Sequence, residues 1–224
     1  MATLFRIEHD YSTNKAPRIP ICICVDTSNE VSADVVKEMN SVLQMINEYI
    51  NDNSELKAKV QLCVLSFGEK TTVVSDFAAV SNEACRLPTV GGEPNLALAL
   101  NKFLELINAR VRLYRSENIS HYLPQLLVLS SGKSATDITE VAKRLNLAQL
   151  SNKLCVLPFL ITDNDSSLLN TLTDDGFVDP DYTNFEAVFN CLKSGLEILS
   201  TSSASAGKTL KSNAETFTNQ FNKR

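Results

Sequence analysis

No apolar stretch of this 224-residue chain reaches the roughly 18 residues needed to cross a bilayer. The N-terminus, MATLFRIEHD, carries acidic residues where a secretory signal is basic and then apolar. Together these absences predict a cytoplasmic protein with no membrane partner. No block of Lys or Arg is present, and a net charge of −5 with an isoelectric point near 5.1 argues against a face for a nucleic-acid backbone. There are only two histidines, His9 and His121. Neither has a Ser or Cys nucleophile at a triad spacing, so both read as surface residues. The G-x-G-x-x-G dinucleotide fingerprint is missing. Gly132-Lys133-Ser134 imitates the end of a phosphate loop but has Leu127 where the upstream glycine must stand, and Ala206-Gly207-Lys208-Thr209 has Ser202 there. Cys22 and Cys24 form a C-x-C pair without the second pair or the histidines of a zinc site. No internal repeat is found.

What is present is an ordinary globular composition, 44% hydrophobic and 21% charged, sufficient for a core. Cys22, Cys24, Cys63 and Cys155 lie within apolar runs and read as reduced core thiols, not as a disulfide framework. The run Ile19 to Val25 lacks alternation, which fits a strand covered on both faces. Ser32 to Asn51 reads as a helix with an apolar stripe of Val35, Met39, Leu43, Ile46 and Ile50, stopped by Asn51-Asp52-Asn53. Lys59 to Phe67 and Thr71 to Phe77 flank Gly68-Glu69-Lys70 as a hairpin, giving the sheet an antiparallel edge.

A Pro- and Gly-punctuated loop from Ser81 to Asn95 then leads to a helix from Leu96 to Tyr114, striped by Leu96, Leu100, Phe103, Ile107 and Val111. Leu123 to Ser130 is a strand, and Asp137 and Glu140 have capping-box spacing for a helix through Leu150. Leu154 to Ile161 is the next strand, and Ser166 to Leu172 a short helix. A last helix starts at Tyr182 or Thr183 and uses Phe185, Val188, Phe189, Leu192, Leu196 and Leu199. The acidic residues Asp163, Asp165, Asp174, Asp175, Asp179 and Asp181 read as caps and turns.

This order predicts an α/β fold, a doubly wound and mostly parallel open sheet with one antiparallel edge hairpin and helices on both faces. The expected organisation is a leader over 1–17, one domain over 18–200, and a polar tail over 201–224 that needs a partner to cover Leu210, Phe217 and Phe221.

In such a sheet, ligands gather outside the carboxyl ends of the strands. Three loops should meet there: Asp26 to Glu30, Thr89 to Asn95, and Ser130 to Ser134. Their residues resemble a known family. Asp26-Thr27-Ser28-Asn29-Glu30 resembles the D-x-S-x-S start of von Willebrand factor A domains. Gly91-Gly92-Glu93-Pro94 resembles their G-G-T-P loop, and Leu129-Ser130-Ser131-Gly132 falls where they have a strand followed by T-D-G. The match in element order runs from Arg18 to Leu199. Within the family the chain looks most like the bacterial stand-alone domains of the TerY-like and YegL-like type, from tellurium-resistance and related stress systems, which begin with a short leader and a P-V-Y-L-L-L-D-T-S strand.

The resemblance implies a metal-ion-dependent adhesion site at Asp26, Ser28, Glu30, Glu93 and Ser131, where oxygen ligands would hold magnesium and leave a position open for a partner's carboxylate. The chain keeps Asp26 and Ser28. It departs at Glu30 and Glu93, where the family has Ser and Thr, and at Ser131, where it has Asp. The favoured expectation is a degenerate site without a resident cofactor. The alternative is a more acidic pocket that takes magnesium or calcium, the latter tolerating bidentate Glu.

By the same resemblance the domain is a non-catalytic protein-interaction module. Thr27, Asn29, Gly91, Gly92, Gly132 and Lys133 would form its partner-binding rim, and kinase-like or phosphatase-like proteins encoded nearby would be partners. The competing readings are a metal-dependent phosphotransferase or hydrolase using Asp26, Glu30 and Glu93, and a structural subunit docked through the phenylalanines of its tail.

Overall fold

The unbroken apolar run IPICICVD is explained by its place in the middle of the sheet. In the computed structural model, which describes residues 11–81, 85–88, 91–173 and 185–201, it forms β1 (Ile19–Asp26), with all eight residues buried. β1 runs parallel to β2 (Val60–Phe67) on one side and to β4 (Gln125–Ser130) on the other. β5 (Cys155–Leu160) continues the parallel sheet beyond β4, and β3 (Thr71–Ala79) closes the other edge antiparallel to β2. The strand order is β3-β2-β1-β4-β5. The expected mostly parallel α/β sheet with one antiparallel edge pair is therefore present.

Successive residues of β1 face opposite layers, as the period of two requires. Ile19, Ile21, Ile23 and Val25 pack in one core with side chains from α1 (Ala33–Asp52) and α6 (Glu186–Thr201). Cys22 and Cys24 join the other core, with α3 (Leu96–Ser116), α4 (Thr139–Leu150) and α5 (Ser167–Asn170). All six cysteines are free thiols. Cys22 and Cys63 are paired across β1 and β2, and burial drives the Cys22 thiol well above its ordinary value.

Several local expectations need correction. The buried stripe of α1 runs through Val36 and Val42, while Val35 is only partly buried. Asn53 ends α1 as expected, but it also opens a short helix, α2 (Ser54–Lys59), by accepting from the N–H groups of Glu55 and Leu56 at 3.1 Å each. Asp137 does not form a capping box with Glu140; it accepts instead from the backbone N–H of Thr139 at 2.9 Å and from its hydroxyl at 2.6 Å. In α3 the inward face includes Arg110 and Tyr114, and Val111 stands at its margin. The expected start of the last helix at Tyr182 or Thr183 and the tail phenylalanines lie outside the described residues, as do His9 and Asp174, Asp175, Asp179 and Asp181.

The amino end of the sheet is held by a buried polar cluster. Tyr11, in the segment read as a leader, is fully buried and donates to Gln61 Oε1 at 3.0 Å. Tyr114 donates to the same oxygen at 2.6 Å, and Arg110 donates to the Tyr11 hydroxyl at 2.9 Å. Arg18, 1% exposed, stacks over the Tyr11 ring at 5.3 Å and donates to the Asn14 carbonyl at 2.7 Å. His121 is half-buried and not a plain surface residue: its ring lies 5.3 Å from that of Tyr114, and it bridges to Arg18 beside β1.

Candidate functional site at the carboxyl edge of the sheet

The loops that follow β1, β4 and the 81–95 segment do converge. β1 ends in Asp26, whose side chain is fully buried. Its Oδ1 accepts from the Ser28 N–H at 2.9 Å. Its Oδ2 accepts from Ser131, from the backbone N–H at 3.0 Å and from the hydroxyl at 2.6 Å. A buried carboxylate needs such donors, because an unpaired one is expensive to remove from water. Ser28 Oγ in turn accepts from the Glu30 N–H at 3.3 Å.

The third loop is sewn to the first by main chain. The Gly91 N–H donates to the Thr27 carbonyl at 2.8 Å, and the Asn29 N–H donates to the Gly92 carbonyl at 2.9 Å. Asn95 ties this loop to the hairpin turn through its N–H and the Gly68 carbonyl at 3.0 Å, and it also caps α3 by accepting from the Leu98 N–H at 3.1 Å. Gly92 sits at φ +72°, and a Cβ there would stand 2.4 Å from Cβ of Glu69. The close approach of the 91–95 loop to the hairpin therefore requires glycine.

Two of the carboxylates proposed from sequence lie at the surface. Lys133 Nζ contacts Glu30 Oε2 at 2.5 Å, with the two side chains 50% and 35% exposed. An ion pair this open contributes on the order of 0–1 kcal/mol. Glu93 is exposed, and among the described residues its side chain has no hydrogen-bonding or ionic partner. No group of three His, Cys, Asp or Glu side chains that could hold a metal ion occurs among the described residues. Of the rim residues, Asn29, Gly91 and Lys133 are exposed and Gly92 is partly so. Thr27 and Gly132 are buried and serve as scaffold. Thr27 binds the end of β2 through its N–H and hydroxyl, both donating to the Phe67 carbonyl.

Sequence reasoning overlooked a fourth loop. Thr162 Oγ1 and Asn164 Nδ2 both donate to the Ser131 carbonyl at 3.0 Å, fixing the residue that holds Asp26. Gly132, at φ +80°, presses so closely on this loop that a Cβ would meet the Asp165 carbonyl oxygen at 2.4 Å. The signal was available: β5 is a parallel strand, so the loop after it had to emerge at the same edge. Asp165 itself is a turn residue as expected, accepting from the N–H and hydroxyl of Ser167.

A central parallel strand ending in D-T-S, a Gly-Gly loop bound to it by backbone, and a serine from the next strand over together define a known constellation. The family model for the von Willebrand factor type A domain matches residues 21–191. The chain belongs to this family. No curated protein matches it by sequence. Among solved structures, it is similar to proximal thread matrix protein 1 from the mussel byssus, with a TM-score of 0.59 and 12% identity over 82% of this chain and 49% of that one. It is also similar to the manganese-loaded TRAP protein of Plasmodium vivax, with a TM-score of 0.53 and 16% identity over 76% of this chain and 70% of that one. A third is the ArnB paralog VWA2 from Sulfolobus acidocaldarius, with a TM-score of 0.53 and 15% identity over 81% of this chain and 45% of that one. This chain thus spans about half the length of the mussel protein. At these identities the structures share the von Willebrand A fold.

Proposed function

We propose that this von Willebrand A domain is a non-catalytic protein-binding module whose adhesion site has been rewritten, so that it grips partners through the exposed side chains of the rim and not through a metal bridge. Domains of this family are in general protein-interaction modules. The observation that carries the reading is the bonding of Asp26. Its two oxygens accept three hydrogen bonds from Ser28 and Ser131, and the Ser131 hydroxyl spends its proton on the carboxylate.

Tested against a divalent cation, this donor set fits poorly. Octahedral magnesium needs oxygens directed at one point, whereas Glu30 is engaged by an ammonium group and Glu93 is exposed, with no partner among the described residues. The same features speak against a phosphotransferase or hydrolase built on Asp26, Glu30 and Glu93. The similarity of the leader and first strand to TerY-like domains supports a bacterial stress-system setting, cytoplasmic, with kinase-like or phosphatase-like proteins as partners.

Calorimetric titration with magnesium, manganese and calcium tests the reading. The native chain should show no saturable binding, and the variant Glu30→Ser/Glu93→Thr/Ser131→Asp should acquire it. Micromolar binding by the native chain that disappears in Asp26→Ala would overturn the proposal.

A further inference from the structure

A second surface lies at the opposite end of the sheet from the rim, and the case for it does not depend on how the adhesion site is read. A cavity of about 820 Å³ opens between α3 and α4, beneath the residues that lead into β4 and β5. Its floor is apolar. Leu104, Ile107 and Val111 recur along one face of α3, and Leu123 adds to them from the strand entrance. A parallel stripe on the same helix carries Glu105, Asn108, Arg112 and Arg115 along the groove's edge, and Lys153 stands on the other side.

The charge of this groove runs against that of the whole molecule, which is −5. Arg112, Arg115 and Lys153 are exposed, and no carboxylate among the described residues pairs with any of them. Glu105 is the one acid among the described residues lining the cavity, and Lys102 holds both its oxygens at 3.0 Å. From Leu104 to Val111 the apolar floor extends roughly 10 Å along the helix. An apolar floor of that length, with Arg112 and Arg115 one turn apart on α3 and Lys153 across the groove, suits a segment carrying apolar side chains as well as carboxylates better than a compact anion, which would leave the floor uncovered. The volume falls within the usual range of ligand sites, about 300–1,000 Å³.

We propose that this groove binds an acidic amphipathic segment of a partner protein, whose apolar side chains rest on Leu104, Ile107, Val111 and Leu123 while its carboxylates face Arg112, Arg115 and Lys153. An amphipathic helix laid in an apolar groove is a common recognition mode, and exposed charges at its rim steer the encounter and select the sign of the partner.

Fluorescence anisotropy on the full chain provides the test, with a labelled synthetic peptide bearing Leu at every third or fourth position and Glu between them. Saturable binding is expected, weakening as salt is raised because the rim charges are exposed. The variant Arg112→Ala/Arg115→Ala should weaken it by about tenfold or more, and Lys153→Glu should weaken it as well. Lys37→Ala, on the exposed face of α1, should leave it unchanged. Both arginines are exposed and unpaired among the described residues, so an unchanged thermal melt is expected for the double variant and separates lost binding from lost folding. The proposal fails if the peptide does not bind, if a version with Lys in place of every Glu binds equally, or if the double variant binds as well as the native chain. It also fails if dodecanoate occupies the groove while the peptide does not, or if sedimentation shows a dimer that Arg112→Ala/Arg115→Ala disperses, which would make the groove a contact between copies.

Discussion

Ser131 gives Asp26 two hydrogen bonds at once, from its backbone N–H at 3.0 Å and from its hydroxyl at 2.6 Å, across 105 residues of sequence. This one contact joins the ends of β1 and β4 at the point where the loops of the sheet edge meet. Ser131→Ala removes the hydroxyl bond and leaves the N–H bond in place. Because the acceptor is a buried carboxylate, the expected loss of stability is about 1–3 kcal/mol, read from urea unfolding. An unchanged midpoint would show that the hydroxyl is dispensable to the edge.

Gly91 and Gly92 are neighbours with opposite tolerances. Gly92→Ala must place a side chain at positive φ and against Glu69, whereas a Cβ on Gly91 meets nothing within 4 Å. Gly92→Ala should therefore destabilise the domain by about 1–3 kcal/mol, and Gly91→Ala should stay within about 0.5 kcal/mol of the native chain. Thermal melts of the two variants check the contrast.

The leader should be indispensable to the fold. Tyr11→Phe leaves Arg110 without the hydroxyl it donates to, and Gln61 with one donor fewer. A buried donor stripped of its partner costs about 1–3 kcal/mol. Deleting residues 1–17 removes Asn14 and Ala16 as well, and with them three acceptors of the buried Arg18 guanidinium. The deletion should lower the urea midpoint further than Tyr11→Phe. Equal midpoints for native and deleted chains would contradict the role assigned to this segment.

The thiols predict a loss of stability in alkali. Burial pushes Cys191 from its ordinary 9.0 up to about 11, and it raises Cys22 and Cys24 well above theirs, with Cys63 and, for Cys24, the Asp26 carboxylate adding to the effect. The unfolded chain then releases thiol protons at lower pH than the folded one, so it binds fewer protons and stability falls as pH rises. Under reducing conditions the contribution should be intact below pH 9.0 and fade as pH approaches about 11. Urea midpoints across that interval measure it. In the folded chain at neutral pH, Cys85, the one half-buried cysteine, should be alkylated well before the other five.

The parts of this molecule that were legible in the sequence are those set by local pattern. β1 shows itself by an unalternating apolar run, the hairpin by Gly68-Glu69-Lys70 between β-rich segments, and α1 and α3 by their apolar spacing. The convergence of the loops after β1 and β4 followed from one rule about parallel sheets, whereas the 91–95 loop, which follows the antiparallel β3, was marked only by its Gly-Gly-Glu-Pro resemblance. What stayed hidden depends on partners far along the chain. Nothing local marks Arg110 and Gln61 as buried until Tyr11 and Tyr114 are folded onto them, across separations of 50 to 99 residues. The six-residue α2 is too short to show a periodic face, and Val36 replaces Val35 in the α1 stripe because both steps are helical and only packing chooses between them. At the site, the pattern D-T-S marked Asp26 but could not tell that Ser131 would satisfy it directly, or that Lys133 would reach Glu30.

β3 has a further consequence for how the molecule meets its own kind. Its pairing with β2 slips around Val64, and Phe77 near its end adopts φ +26° beneath the Arg110 guanidinium. An outermost strand that is regular and flat invites a second molecule to continue the ladder, and irregularity of this sort denies it a template. That side of the domain is thus a poor seed for zipping copies into fibres.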